Sequence, residues 1–574
     1  MKGLLKFFKG YKIESFLAPI FKCLEAIFEL LVPLAVARII DVGINESQPS
    51  TIWKMCLVML ALAIIGLICA ISAQYFSAKA AVGVSAKIRS ALFERIQKFS
   101  YAETDKAGYS TLITRMTGDI NSVQTGINMF LRLFMRSPFI VFGAMIMAFT
   151  INVRLALIFV ITIVILAIVV FGIMLISIPI MKKSQGNLDK VLGKVRSNYN
   201  GTRVVRAFNK EQDEIDEFDK KHAALTKIQI FAGRISALMN PLTYVIINFA
   251  VIILIKSGAV SVDSGIISQG ELVALYNYMS QILVELIKLA SLIITLNKAA
   301  ASASRVSAVL NKDIDESNTV ANELSDDDSA IRFDNVSFAY NESGDQAISN
   351  VSFSALKGQT VGIIGGTGSG KSTLVNLIPA LYKATDGNVY INGKNAQSYV
   401  DGELCEKIAI VPQKAMLFKG TVRSNLAWGN ENATDEEMWE ALDIAQAASF
   451  VKEKELGLDE PVMQSGKNLS GGQRQRLTIA RALMKKPEIL ILDDSASALD
   501  YATESSLMRA LSALPYSPTK VIVSQRASSI LGADIIVVMD DGEVVGKGTH
   551  KELLESCETY REIYQSQFGV GGEK

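Results

Sequence analysis

The stretch Gly365–Ser372 reads GGTGSGKS and decides the fold of the chain around it. It satisfies the pattern G-x-x-x-x-G-K-[ST], in which glycines let backbone N–H groups turn toward phosphates. The apolar run at 360–364 predicts a buried strand before it, and the residues from Thr373 predict the start of a helix. A strand, a glycine-rich loop and a helix in this order predict a phosphate-binding loop in an α/β domain.

Within this loop the lysine and the hydroxyl carry most of the predicted chemistry. Lys371 is expected to reach the β- and γ-phosphates of a nucleotide, and the Ser372 hydroxyl to bind Mg²⁺. The predicted phosphate-binding residues are Gly365, Gly366, Thr367, Gly368, Ser369, Gly370, Lys371, Ser372 and Thr373.

Length and composition indicate at least two domains, one of them in a membrane. The chain has 574 residues, half of them hydrophobic, and a mean hydropathy of +0.29. A single core rarely grows beyond about 300 residues, so one domain is not enough. The net charge of +1 gives no electrostatic case for binding nucleic acid. The five cysteines share no metal-ligand spacing.

The hydrophobic residues are concentrated before residue 310. Crossing a bilayer takes roughly 20 apolar residues, which predicts six spans, near 16–40, 55–78, 128–150, 154–179, 240–261 and 272–297. The loops at 79–127 and 180–239 are long, rich in Lys and Arg and helical in periodicity, whereas the other loops are short and nearly free of these residues. The positive-inside rule therefore predicts that the long loops and both termini are cytoplasmic.

Charged residues occur at membrane depth in three of the predicted spans. They are Lys22, Glu25, Glu29, Arg132, Arg136, Glu285 and Lys288. Such residues usually face the bundle interior or a water-filled cavity. Two interpretations stay open: the charges pair with one another and snorkel to the interfaces, or Glu25, Glu29 and Glu285 form a cavity that attracts cations.

The composition changes at about residue 311. Residues 311–330 are acidic and polar and predict a linker. From 331 to 568 the pattern alternates between strands and helices, which predicts an α/β nucleotide-binding domain, and 569–574 predict a disordered tail. The predicted fold is thus an all-α, six-span membrane domain at 1–310, with long helical cytoplasmic loops, followed by this α/β domain.

Further segments of the second half carry predicted site residues. The buried strand at 489–492 ends in Asp493, an expected water-mediated Mg²⁺ ligand. Gln413 follows the strand IAIVP and is expected to contact the metal and the attacking water, and Tyr340 is expected to stack on a base. The sequence LSGGQ opens a helix whose free N–H groups form an anion site; its residues are Leu469, Ser470, Gly471, Gly472 and Gln473.

The order GGTGSGKS, LSGGQ, LILDD resembles the nucleotide-binding domain of ATP-binding cassette (ABC) transporters. Six predicted spans fused to one such domain resemble the half-transporters of the exporter class, over nearly the whole chain. The resemblance implies an ATPase that binds ATP and Mg²⁺ and a multi-pass protein of the bacterial cytoplasmic membrane. It also implies that two chains enclose two ATP molecules, each between one chain's phosphate loop and the other's LSGGQ. Coupling segments are implied near 109–115 and 200–205.

Two positions depart from the family pattern. After the strand aspartate the family usually has glutamate, which polarises the attacking water, and this chain has Asp494. After the next strand the family normally has a histidine that contacts the γ-phosphate, and this chain has Gln525. Glutamine can donate a hydrogen bond but has no titratable imidazole.

The favoured interpretation of these departures is a slow, degenerate ATP site in a heterodimeric multidrug exporter. This chain's LSGGQ would then complete the active site of a second half-transporter that keeps the glutamate and the histidine. The expected cargo is a hydrophobic or cationic small molecule, with membrane lipids as the surroundings. The alternatives are a homodimeric, slow lipid or peptide exporter and an ATP-gated channel or regulator.

Overall fold

The computed structural model describes residues 2–312, 328–340, 344–399 and 402–569. The chain divides into two compact units, one of residues 1–98 with 108–313 and one of residues 99–107 with 314–574. Most of the predicted linker at 311–330, and the predicted tail beyond residue 569, lie outside the described residues.

The N-terminal region is helical, as the sequence predicts. Its α-helices are α1 (Lys12–Arg38), α2 (Pro49–Gln97), α3 (Tyr101–Ala107), α4 (Tyr109–Thr114), α5 (Ile120–Met129), α6 (Arg136–Ile151), α7 (Val153–Ala207), α8 (Glu211–Ala237), α9 (Met239–Asp263) and α10 (Gln269–Leu310). A 3₁₀ turn (Lys2–Phe8) precedes them, and π-helical turns occur at Ile39–Asn45, Arg115–Asp119 and Phe130–Phe134. The long loops predicted to be helical are helical.

Local signals explain where the long helices begin. The Asn152 side chain accepts hydrogen bonds from the backbone N–H groups of Arg154 and Leu155 at the start of α7. Ser268 and Glu271 form a reciprocal capping box at the start of α10. Such caps satisfy N–H groups that a helix start otherwise leaves without a partner.

Among the described residues, five helical stretches are long and apolar enough to cross a membrane: Pro49–Gln97, Tyr109–Ile151, Val153–Ala207, Glu211–Asp263 and Gln269–Leu310. The predicted count of six spans is therefore not confirmed. The first predicted span corresponds to α1, whose apolar stretch carries Lys22, Glu25 and Glu29. Charges at this density weaken the hydropathy of a segment.

The second unit contains an α/β core. Its strands are β1 (Ser329–Phe338), β2 (Ile348–Leu356), β3 (Thr360–Gly365), β4 (Asp386–Ile391), β5 (Lys394–Asn395), β6 (Ile408–Val411), β7 (Gly420–Thr421), β8 (Pro461–Val462), β9 (Ile489–Asp493), β10 (Thr519–Val523), β11 (Ile535–Asp540) and β12 (Glu543–Gly548). Within the described residues one sheet has the order β12-β11-β3-β10-β9-β6, and it is parallel except for β12. A second, antiparallel sheet has the order β2-β1-β4-β5.

Helices connect and cover these strands. They are α11 (Lys371–Leu377), α12 (Glu403–Lys407), α13 (Val422–Leu426), α14 (Asp435–Ile444), α15 (Ala448–Lys452), α16 (Gly471–Leu483), α17 (Tyr501–Ser512), α18 (His550–Ser556) and α19 (Glu558–Phe568). Because β3, β6, β9 and β10 are parallel neighbours in one sheet, the residues that follow their carboxyl ends share one edge. Ligands of open α/β sheets bind at this edge.

Candidate functional site

The glycine-rich loop lies between a buried strand and a helix. β3 is buried from Val361 onward, and α11 begins at Lys371. Gly370, just before that helix, has a φ of 90°, in the left-handed region that favours glycine. A Cβ atom at Gly370 would lie 2.8 Å from the carbonyl oxygen of Ala347. Backbone conformation and crowding therefore both require glycine at this position.

Lys371 is held inside the loop. Its Nζ donates to the carbonyl oxygen of Gly365 at 3.0 Å and to Ser369 Oγ at 3.2 Å. Burial lowers the pKa of Lys371, and the negative charges of Asp494 and Asp493 oppose this effect. The loop thus holds a cation at the start of α11, where a phosphate group would find an opposite charge.

Two aspartates lie at the carboxyl end of β9: Asp493 is its last residue, and Asp494 follows it. Asp493 is buried, and its Oδ1 accepts a hydrogen bond from Ser372 Oγ at 3.1 Å. Asp494 has a φ of 45°, a left-handed conformation that aspartate tolerates better than most other residues. Its Oδ2 accepts a hydrogen bond from Gln413 Nε2 at 3.1 Å. The fold therefore brings Gln413, from the end of β6, into contact with the position where the family usually has glutamate.

The acid pair suits a divalent cation held together with a nucleotide. Burial raises the pKa of Asp493, and the adjacent Asp494 raises it further, although the Ser372 hydrogen bond lowers it. A cation would offset both the burial and the repulsion. The described residues contain no group of three His, Cys, Asp or Glu side chains arranged around a metal. Mg²⁺ usually binds through one or two protein oxygens together with phosphates and waters, so Ser372 and Asp493 fit this ion.

One cavity of about 380 Å³ joins these groups. The predicted site residues that line it are Tyr340, Thr367, Gly368, Gly370, Lys371, Ser372, Thr373, Gln413, Asp493, Asp494 and Gln525. Tyr340 is half exposed, and its hydroxyl shares a hydrogen bond of 3.0 Å with Thr373 Oγ1. Its ring is thereby oriented at the mouth of the cavity.

The same cavity is also lined by residues that the sequence does not identify as site residues. They are Gln346, Ala347, Val523, Asp541 and Gly542. Asp541 and Gly542 form the turn between β11 and β12, both with positive φ. An Asp-Gly pair between two apolar runs is a hairpin signal that the sequence shows. Its approach to the phosphate loop depends on the pairing of β11 with β3, which the sequence does not show.

The LSGGQ residues do not line this cavity. Ser470 caps α16 in a capping box: Gln473 N–H donates to Ser470 Oγ at 3.2 Å, and Ser470 N–H donates to Gln473 Oε1 at 3.0 Å. Leu469 is buried, and its carbonyl oxygen accepts a hydrogen bond from Arg474 Nη1 at 2.6 Å. The start of α16 is therefore a helix N-terminus that its own capping residues stabilise and that lies outside this cavity.

Comparisons with known proteins identify the class. The family profile described as ABC transporter transmembrane region matches residues 15–286, and the profile described as ABC transporter matches residues 348–497. The chain belongs to the ABC transporter family. It is 36% identical to the uncharacterised ABC transporter ATP-binding protein YfiB of Bacillus subtilis over 576 residues, which cover 100% of both chains. It is 30% identical to YfiC of the same organism, over 99% of this chain and 94% of YfiC.

A solved structure shares the whole fold. It is described as a bacterial Atm1-family ABC exporter with ATP bound, and it matches 99% of each chain with a TM-score of 0.82 at 20% sequence identity. This chain thus has the fold of an exporter whose transmembrane and nucleotide-binding regions are fused. The predicted order of a helical transmembrane region followed by an ABC nucleotide-binding domain is confirmed.

A short segment from the helical half belongs to the second unit. Residues 99–107, which include α3, cluster with the C-terminal part of the chain. Within this unit Tyr382 Oη donates a hydrogen bond to Asp105 Oδ2 at 2.6 Å, and the rings of Tyr101 and Tyr382 meet edge to face. Residues 99–107 therefore join the second unit through side-chain contacts with residues distant in the chain. The coupling segments implied near 109–115 and 200–205 stay predictions.

Six of the seven charged residues predicted at membrane depth form ion pairs in the first unit, while Arg132 donates a hydrogen bond to Gln74. Lys22 Nζ donates to Glu25 Oε1 at 2.8 Å. Arg136 bonds to Glu29, and its Nη1 donates to Glu285 Oε1 at 2.8 Å. Glu285 is buried and also accepts from Ser137 and Lys288. Each of the three glutamates therefore has a basic partner, as the ion-pairing interpretation expects.

Proposed function

We propose that this chain is one half of an ATP-driven exporter whose own phosphate loop forms a slow, degenerate ATP site. The observation that carries the proposal is the cavity that gathers Lys371, Ser372, Asp493, Asp494 and Gln525. Its binding groups match what Mg·ATP needs. Its two positions for hydrolytic chemistry hold a short carboxylate and an amide.

Each residue of this site has its own proposed role in binding Mg·ATP or in hydrolysis. Lys371 and the loop N–H groups would bind the phosphates, Ser372 and Asp493 would hold Mg²⁺, and Tyr340 would stack on adenine. When bound, Mg²⁺ neutralises charge on the phosphate oxygens. Gln413 and Asp494, which are hydrogen-bonded to each other, orient the attacking water. Gln525 donates a hydrogen bond to a phosphate oxygen.

The slow turnover follows from the length of the Asp494 side chain. Aspartate is one methylene shorter than glutamate, which withdraws the carboxylate by about 1.5 Å from its position in a glutamate site. Misplacement of a reacting group by about 1 Å can cost on the order of 100-fold in rate. Gln525 adds a second deficit, because its amide cannot carry the positive charge of a protonated imidazole.

The partner in this proposal is a different half-transporter that keeps the glutamate and the histidine. The position of LSGGQ outside this chain's own cavity supports closure of each ATP site by a second chain. Ser470, Gly471 and Gly472 would then complete the faster site on the partner. The complex would be a multi-pass assembly of six spans per chain in the bacterial cytoplasmic membrane, with both termini in the cytoplasm.

The proposed cargo is a hydrophobic or amphipathic compound. The apolar surfaces of the spans support it, together with a cavity of about 530 Å³ lined by Val32, Pro33, Ile140 and Val284 along with Glu29 and Glu285. The ion pairs of Glu25, Glu29 and Glu285 reduce the attraction that these glutamates exert on a cationic cargo. Uptake of a cationic dye into inverted vesicles tests this: dye transport should survive Glu-to-Gln changes that leave the protein folded.

The test of the proposed function is ATP hydrolysis by the purified chain in lipid, alone and with a candidate partner. We expect slow turnover alone and fast turnover with the partner, together with ATP-dependent transport. Lys371→Met serves as the control for contaminating ATPases. Fast turnover by the unmodified chain alone would falsify the degenerate site, and native mass spectrometry showing two copies of this chain would contradict the heterodimer.

A further inference from the structure

A second cavity in the nucleotide-binding unit lies apart from the ATP site. It encloses about 470 Å³ and shares no lining residue with the first cavity. Its walls are α17, the face of β10 that carries Lys520 and Ile522, and the segment 528–533. Neither the family comparison nor the proposed ATP chemistry assigns a role to this cavity.

Lys520 is the residue that makes the cavity unusual. It sits in the middle of the parallel sheet, in the strand sequence TKVIV, and only 8% of its surface is exposed. Among the residues that the structure describes, its ammonium group has no hydrogen-bond or ion-pair partner. It is also absent from the polar atoms sealed away from solvent, so the cavity reaches it. A buried ammonium group without a partner is unfavourable unless a ligand compensates its charge.

The remaining polar groups of the cavity add to the positive charge. Arg509 of α17 also lines it, together with the hydroxyl-bearing residues Ser505, Ser512 and Ser528. The Arg509 side chain makes one weak hydrogen bond, from Nε to the carbonyl oxygen of Ser505 at 3.4 Å. Arginine and hydroxyl groups are suited to bind the oxygens of phosphates and carboxylates.

Two acids lie close by, and each accepts hydrogen bonds from groups other than Lys520 and Arg509. Glu504 lines the cavity, but its Oε2 accepts a hydrogen bond from Arg526 at 2.9 Å and its Oε1 accepts one from Ser529. Asp534 lies outside the lining, and its Oδ2 accepts the N–H of Thr360 at 2.7 Å. The negative charge of Asp534 opposes the lowering of the Lys520 pKa that burial causes, although no ion pair joins the two side chains among the described residues.

We propose that this cavity is a binding site for a small oxyanion, a phosphate or carboxylate group that pairs with Lys520 and Arg509. The serine hydroxyls complete the polar shell, and the Met508 and Ile522 side chains, which also line the cavity, accommodate an apolar body attached to that group. The bound anion supplies the partner that the Lys520 ammonium lacks. The site is independent of the ATP cavity and does not rest on the proposed export function.

The direct test is protection of Lys520 from an amine-reactive label in the full-length chain. Saturating Mg·ADP fills the phosphate loop in every sample, so that added anions cannot act there. Labelling rates are measured by peptide mass spectrometry in chloride, inorganic phosphate and acetate at equal ionic strength. Lys547, an exposed lysine of β12, is the internal control.

Phosphate, acetate or both should slow the labelling of Lys520 in a saturable way, while Lys547 is unaffected. The slowing should be on the order of tenfold when the anion is present at ten times its Kd. Protection by phosphate alone, or by both anions, distinguishes a phosphate site from a general oxyanion site. Equal Lys520 labelling in all three salts, or equal slowing of Lys520 and Lys547, overturns the proposal.

A matched pair of variants gives a second readout under the same Mg·ADP conditions. The protective anion should raise the Tm of the unmodified chain and of Lys547→Met, but not that of Lys520→Met. An equal rise in Lys520→Met would contradict the site. If Lys520→Met does not fold, the labelling experiment on the unmodified chain still decides the question.

Discussion

Replacement of Asp494 by glutamate should accelerate ATP hydrolysis by this chain. The extra methylene moves the carboxylate by about 1.5 Å, toward the position that the family uses to polarise water. If the present misplacement costs on the order of 100-fold, which corresponds to about 2.7 kcal/mol of transition-state stabilisation, its correction sets the upper limit of the gain.

Two features of the structure reduce that gain. The hydrogen bond of 3.1 Å between Gln413 and Asp494 must break or form again with the longer side chain, and a hydrogen bond to a charged group contributes about 1.5–3 kcal/mol. The left-handed backbone at residue 494, with a φ of 45°, also suits aspartate better than glutamate. We therefore expect kcat to rise by up to about 100-fold if this hydrogen bond forms again, and by less than about tenfold if it is lost.

The assay is steady-state ATPase of the chain reconstituted in lipid, with ATP affinity measured separately. Asp494→Asn is the matched control: it keeps the size of the side chain but removes the charge, and it should give no gain. Adding Gln525→His to Asp494→Glu should raise kcat again. A folded Asp494→Glu variant that binds ATP normally and hydrolyses it no faster than the unmodified chain would refute the reasoning.

Three further predictions test other parts of the nucleotide-binding unit. Lys371→Met should weaken ATP binding by more than about tenfold, because a charged contact to phosphate is worth more than about 1.4 kcal/mol. Titration with a fluorescent nucleotide measures the affinity, and an unchanged affinity would show that the lysine stays bonded to its own loop instead of the phosphates. Arg526→Met should destabilise the chain by about 2 kcal/mol, because it leaves the buried Glu504 carboxylate without its charged partner. The exposure of Arg526 and the hydrogen bond from Ser529 to Glu504 keep this loss of stability from being larger. In denaturant unfolding, Arg526→Met should cause a smaller loss of stability in a Glu504→Gln background. Burial chiefly, and the nearby Lys551, lower the pKa of His550, whose Nδ1 is 2.8 Å from the Tyr560 hydroxyl. The stability that this neutral histidine contributes is present above its unfolded pKa of about 6.5 and is lost as the pH falls below that value. Between about pH 7.5 and about pH 5.5, Tm should therefore drop more in the unmodified chain than in His550→Gln, and equal drops would contradict this role of His550.

The sequence predicts function best where function depends on a short, continuous segment. The phosphate loop, the strand that ends in Asp493 and the LSGGQ helix start each combine a residue pattern with a local backbone conformation. Because periodicity and glycine placement determine such segments, their residue types alone indicated the family. The departures at Asp494 and Gln525 were visible for the same reason.

The number of membrane spans is a property that hydropathy alone predicts incompletely. Hydropathy alone describes a segment well when it is free of charge, as in residues 155–181 of α7. The apolar stretch of α1, in contrast, carries Lys22, Glu25 and Glu29, whose partners lie partly on other helices. Arg136 contacts Glu29 of α1 and Glu285 of α10. Sequence spacing suggested pairs within one helix, whereas helix packing joins three helices through one guanidinium group.

By itself, the sequence determined the two-part organisation, the ligand class and the positions where the hydrolytic chemistry departs from the family pattern, because each of these depends on local patterns along the chain. Only the tertiary structure decided which side chains meet: Gln413 with Asp494, the Asp541–Gly542 turn with the phosphate loop, and residues 99–107 with Tyr382. It alone also shows that Lys520, in an apolar strand, lines a cavity and has no hydrogen-bond or ion-pair partner within the described part of the chain. The physical reason is that burial and pairing depend on strand order and helix packing between residues far apart in the chain, and no local pattern encodes those distances.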